Sequence, residues 1–60
     1  MSNSLTTKRI LARSLKELCQ HRNFEKISIN DLTSNCNLNR QTFYYHFQDK
    51  YDLLQWLQRY

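Results

Sequence analysis

The sequence predicts an all-α fold: a three-helix bundle that carries a helix-turn-helix, followed by the start of a fourth, linking helix. Three features lead there. The 60 residues include neither Gly nor Pro, the residues on which tight hairpin turns depend. Apolar side chains recur at three- and four-residue spacing, the period of one helical face. Ser, Thr, Asn and Asp stand where such segments would begin, where their side chains accept a backbone hydrogen bond as N-caps. A chain this short buries only about 60% of the surface its unfolded form exposes, so the helices must depend on one another.

The first helix is read over about residues 7–21. Ile10, Leu11, Leu15, Leu18 and Cys19 form its inner face, while Lys8, Arg9, Arg13, Lys16 and Glu17 fall elsewhere. Thr6 or Thr7 is its expected cap, and Asn23 its expected stop in a left-handed backbone. Phe24 and Ile27 anchor the connection. Ser28 with Asp31 has the form of a capping box, which opens a second helix over about residues 29–35, with Ile29, Leu32 and Cys36 inward. Two turns are too few to be stable alone, because isolated helices below about 12 residues are marginal in water. Cys36, Asn37 and Leu38 make the next turn, with Asn37 suited to a left-handed backbone where Gly is commoner.

Asn39 caps a third helix over about residues 40–47, with Phe43 and Phe47 inward one turn apart. At about 100° per residue, Gln41 and Tyr45 lie about 160° from Phe43 on its two sides, and Tyr44 and Gln48 also turn away. Asp49 caps the fourth helix, residues 50–60, which carries Leu53, Leu54, Leu57 and Trp56 inward. The end at Arg59 and Tyr60 has no helix-stop signal and reads as a cut.

A short helix, a three-residue turn and a second, capped helix make a helix-turn-helix between residues 28 and 47, whose second helix is the reader of base edges. Arg40 suits guanine or phosphate, Gln41 adenine and Thr42 a thymine methyl. Tyr44, Tyr45 and His46 supply donors for phosphate oxygens, and Lys50 stands near the start of the fourth helix, where backbone amides also attract anions. Nine Lys and Arg against five Asp and Glu give a net charge of +4 and a pI near 9.4. That balance favours an anionic partner such as nucleic acid.

Other classes are poorly served. No apolar run approaches the roughly 18 residues of a membrane span, and the first four residues lack a secretion pattern, so a cytoplasmic protein is expected. Cys19 and Cys36 match no zinc-ligand spacing with His21 and His46; both are read as small buried apolar groups in a reducing compartment. No cofactor and no metal are expected. Asp49 and Asp52 fall in the first turn of a helix, where carboxylates favour the macrodipole, and no catalytic set is present.

The segment Asp31-Leu32 through Leu38-Asn39-Arg40-Gln41-Thr42-Phe43-Tyr44-Tyr45-His46-Phe47, then Asp49-Lys50 and Leu53, resembles the N-terminal domain of the tetracycline-repressor (TetR) family. The resemblance runs from about Thr7 to Leu57, including Ile10, Ala12, Leu15, Asn23 and Phe24. Its most specific part is the aromatic string from Phe43 to Phe47 with Lys50 three residues later. The string from Arg40 to Tyr44 is most similar to members related to the activator of dihydroxyacetone-kinase genes.

That resemblance implies a bacterial transcription regulator, located in the cytoplasm on the nucleoid, whose head binds double-stranded DNA at a near-palindromic operator. It further implies a homodimer in the full-length protein, and a C-terminal domain, absent from residues 1–60, that dimerises and takes a small-molecule or protein effector. DNA contacts carried over from the family fall at Ser28, at Asn39, Arg40, Gln41 and Thr42, and at Tyr44, Tyr45, His46 and Lys50. The family usually has Gly where this chain has Asn23, Asn37 and Gln41, so Gln41 adds a side chain at the groove.

Plainer readings stand beside these. One tyrosine ring packs on a neighbouring helix with only its hydroxyl wet, and His46, about 60° from the direction of Phe43, borders the core. Most of the basic residues on the first helix are solvated, with Lys8 or Arg9 the candidates for a phosphate contact. The rival class is a protein-interaction module that docks through Leu53, Trp56, Leu57 and Tyr60 on the fourth helix.

Overall fold

A computed structural model of the chain describes residues 4–59. Four helices follow in order: α1 Ser4–Cys19, α2 Ile29–Asn35, α3 Arg40–His46 and α4 Lys50–Arg59, with a single 3-10 turn at Phe24–Lys26. No strand occurs among the described residues. Tyr60, expected at the end of the fourth helix, lies outside them.

The core forms where the four helices converge. α1 brings Leu11 and Leu15, one turn apart, with Ala12 beside them; α2 brings Leu32, α3 Phe43 and α4 Leu53, and Ile27 and Phe47 enter from just outside helices. Burying each of these large side chains contributes about 1.5–3 kcal/mol. The seven-residue α2 and α3 depend on that burial, since neither is long enough to hold alone.

Polar groups fix the register of α2 on α1. Ser14, buried to 1% exposure, donates from Oγ to the Leu32 carbonyl at 2.8 Å and accepts from Asn35 Nδ2 at 2.9 Å. Asn35 also reaches Glu17 Oε1 at 3.0 Å. Thr33 is buried too, and returns its hydroxyl to the Ile29 carbonyl at 3.0 Å, so it enters the core without an unpaired donor.

Three connections shape the bundle. α1 closes through i to i−3 bonds from Gln20 to Glu17 and from His21 to Leu18, joined by Arg22 to Leu18. α2 ends in a Schellman arrangement: Leu38 N–H donates to Thr33 O at 2.9 Å and Asn37 N–H to Ser34 O at 3.4 Å, around Asn37 at φ 61°. Phe47 turns extended (φ −137°, ψ 151°), ending α3 at His46 while its ring stays in the core.

Four expectations are corrected. α1 already includes Ser4, so Thr6 and Thr7 lie inside it and do not cap it; nothing in that stretch breaks a helix, and Lys8 crosses the Phe47 ring at 5.8 Å to anchor it. Asn23 is extended (φ −68°, ψ 142°) and leads into the 3-10 turn, because the i to i−3 bonds have already stopped the helix. Ile10 is 39% exposed, the inner stripe being centred on Leu11 and Leu15. Cys19 is exposed at the end of α1, whereas Cys36 is half-buried and points its thiol at Leu32 O, 3.3 Å away.

Candidate nucleic-acid interface

The outer face of α3 begins at its cap. Asn39 holds an extended backbone (φ −107°, ψ 166°), and its Oδ1 accepts from Thr42 N–H at 2.8 Å and Thr42 Oγ at 3.0 Å. This pair of hydrogen bonds fixes the first turn before any ligand arrives. Because Phe43 is fully buried and Phe47 nearly so, the helix has one rotational setting, with Arg40, Gln41, Tyr44 and Tyr45 all exposed.

Two groups of side chains share this face. Asn39, Gln41, Thr42 and Tyr45 line one shallow depression, and Tyr45, at 85% exposure, is the most open of the exposed large hydrophobic side chains among the described residues. Arg40 and Tyr44 form the neighbouring strip. Tyr44 is 49% exposed, sets its ring edge-on to Phe43 at 5.5 Å and lies beneath the Arg40 guanidinium at 6.0 Å. Tyr44 therefore combines the core-packing and exposed readings: a ring wall against the core, with its other side toward solvent.

His46 is half-buried at the margin. Its ring meets Tyr45 edge-on at 5.1 Å, and it borders a groove with Lys8, Asp52, Gln55 and Trp56, on the side of α3 that faces α1 and α4. It stands beside the Gln41 and Tyr45 face and not within it.

Ser28 contributes from α2. The capping box is complete: Asp31 N–H donates to Ser28 Oγ and Ser28 N–H to Asp31 Oδ2, each at 3.0 Å. Ser28 is exposed, and a hydroxyl that accepts one bond still has its proton to donate. Arg22 Nη1 reaches Asp31 Oδ2 at 2.9 Å, so the acid nearest Ser28 is paired with a cation. Asp31 titrates below the ordinary aspartate value, held there first by the Ser28 backbone N–H and next by the Ser28 side chain, with burial opposing and Arg22 adding.

Lys50 is placed differently from the phosphate contact expected of it. Its ammonium turns back into the chain and donates to the Phe24 and Ile27 carbonyls, each at 2.8 Å, and to Glu25 O at 3.3 Å. Sequence spacing held no signal for this contact, since the carbonyls lie more than twenty residues upstream. The Arg22 to Asp31 pair was equally hidden, although an acid in a capping box is a natural partner for a cation at the preceding helix end.

From Asn37 to Gln48 the chain has no acidic residue, so the exposed face of α3 combines hydrogen-bonding, aromatic and cationic groups without a carboxylate. No helix among the described residues is long and apolar enough to cross a membrane. A capped, core-anchored helix with such a face, set behind a second short helix by a left-handed turn, is the architecture of a helix-turn-helix DNA-binding head.

Comparison with known proteins agrees. Residues 10–57 match the bacterial regulatory proteins of the tetR family, and the chain belongs to that family. It is similar to the HTH-type dhaKLM operon transcriptional activator DhaS of Lactococcus lactis subsp. lactis (strain IL1403), at 37% identity over 57 residues. The match takes in 95% of this chain but 30% of the relative, so the chain spans about a third of that protein's length.

Proposed function

We propose that α3 enters the major groove of duplex DNA and that its exposed face supplies sequence preference. The carrying observation is the union of a fully buried Phe43 with an open, acid-free outer face. That face holds a guanidinium, a carboxamide and a phenol on the first turns of one fixed helix. Arg40 and Gln41 have the donor and acceptor patterns that purine edges require. Asn39, Thr42, Tyr44, Tyr45 and Ser28 border the same surface and suit phosphate oxygens, with His46 at the rim.

The regulator is proposed to act as a homodimer on a near-palindromic operator, each protomer presenting one α3 to one half-site. Dimerisation and the binding of a small-molecule or protein effector are assigned to a domain beyond these 60 residues. Two members of the rival docking stripe on α4 are engaged within the head: Leu53 is fully buried and Trp56 meets Phe47 edge-on at 6.1 Å.

The test is fluorescence anisotropy of a labelled duplex, titrated with the chain at about 50 and 200 mM salt, where each phosphate neutralised contributes about −0.9 to the logarithmic slope. Binding that weakens steeply with salt, and that prefers duplex to the matching single strand, is expected. A chain that ignores duplex DNA at low salt contradicts the proposal.

A further inference from the structure

Lys50 is the first residue of α4, where a cation meets the positive end of the helix dipole and is disfavoured. The site compensates with carbonyl oxygens. An ammonium has three donors, and three acceptors converge on this one: Phe24 O and Ile27 O at 2.8 Å and Glu25 O at 3.3 Å. Two rings complete the pocket. The Phe24 centroid lies 4.6 Å from Nζ and that of Tyr51 5.8 Å, and the rings meet edge to face at 5.2 Å. Asp49 accepts from the backbone N–H of Asp52 and Asp52 from that of Gln48, and no carboxylate among the described residues forms an ion pair with Lys50. Backbone carbonyls therefore hold the cation.

These carbonyls have a particular address. They belong to the 3-10 turn and to Ile27, the residue directly before the N-cap Ser28. Bonds from a charged donor are roughly twice as strong as neutral ones, so the start of α4 is tied to the segment that sets where α2 begins.

We propose that Lys50 is a positioning residue for the DNA-reading surface: its ammonium latches α4 to the turn carrying Ser28 and fixes the first turn of α2, without itself touching phosphate. The proposal rests on the reading of Ser28 and the α3 face as the DNA surface. An arginine would not substitute, because a planar guanidinium presents its donors in a rigid fork and not toward three converging oxygens.

The experiment uses the whole 60-residue chain, Lys50→Met and Lys50→Arg. Duplex affinity is measured over a salt series at a temperature where each is folded by amide NMR, and the Lys50 ammonium signal of the unaltered chain is followed as duplex is added. The latch predicts a slowly exchanging ammonium that stays in place on DNA addition. It also predicts loss of affinity by about fivefold or more in both variants, with an unchanged salt slope and shifted Ser28 and Asp31 amides.

A direct phosphate contact gives the opposite pattern: Lys50→Arg keeps its affinity, Lys50→Met loses about 0.9 from the slope, and the ammonium signal moves with DNA and returns with salt. That pattern overturns the proposal, as does unchanged affinity in both folded variants, which would leave Lys50 a stabiliser of the fold alone. If neither variant folds, the ammonium signal decides between the same two outcomes. If the unaltered chain binds no duplex, the DNA reading fails and the positioning role with it, while a slowly exchanging ammonium still marks the latch as present.

Discussion

Arg40 and Gln41 open α3 side by side but keep different company: Arg40 lies over the Tyr44 ring, and Gln41 shares a depression with Asn39, Thr42 and Tyr45. If each makes a bidentate base contact, Ala in either place relaxes preference at one base position and costs about 1–3 kcal/mol on the operator, with a smaller loss on random duplex. Equal weakening on both DNAs, measured by competition binding, contradicts a base contact. Asp31 gives a prediction in acid. Its folded-state value is depressed, so the stability it contributes is fully present above the unfolded value, about 3.9, and is lost as pH falls through the folded value. Thermal unfolding of Asp31→Asn over a pH series should therefore show a shallower loss in acid than the parent chain; superimposable profiles refute the assignment.

At the scale of elements, the turn between α2 and α3 depends on Asn37 at φ 61°. A side chain with a Cβ pays about 1–2 kcal/mol there, which Asn partly escapes through local hydrogen bonding and Gly avoids. Asn37→Ala should lower stability by about 1 kcal/mol while Asn37→Gly leaves it unchanged or raises it, both read from denaturant midpoints; an Ala variant as stable as the Gly variant contradicts the turn assignment. α2 and α3 were legible in the sequence because their signals are local: Ser28 with Asp31, Asn37, Asn39, and apolar residues one turn apart. The limits of α1 were not, since its start has no breaker and its end is made by tightened backbone bonds and not by Asn23. The exposed face of α3 followed from the placement of Phe43. The Lys50 latch, the Arg22 to Asp31 pair and the Ser14 to Asn35 seam did not, because each joins residues that only the tertiary fold brings together.

At the scale of the whole molecule, the net charge of +4 gains meaning from its arrangement. α3 presents its cation and amide with no acid from Asn37 to Gln48, and the acid beside Ser28 is neutralised by Arg22. Trp56 of α4 sets its ring edge-on to Phe47, and the α3 face stays an open polar surface on a helix whose setting the buried Phe43 fixes. The central claim is that this face meets duplex DNA, and its most direct test is a duplex titration followed residue by residue through amide NMR shifts at low and high salt. The account predicts that Ser28, residues 39–42, Tyr44 and Tyr45 move at low salt and return at high salt while the Lys50 ammonium stays fixed. Shifts confined to Leu53, Trp56 and Leu57, or no shifts at all, would contradict it and bring the protein-docking reading of α4 forward.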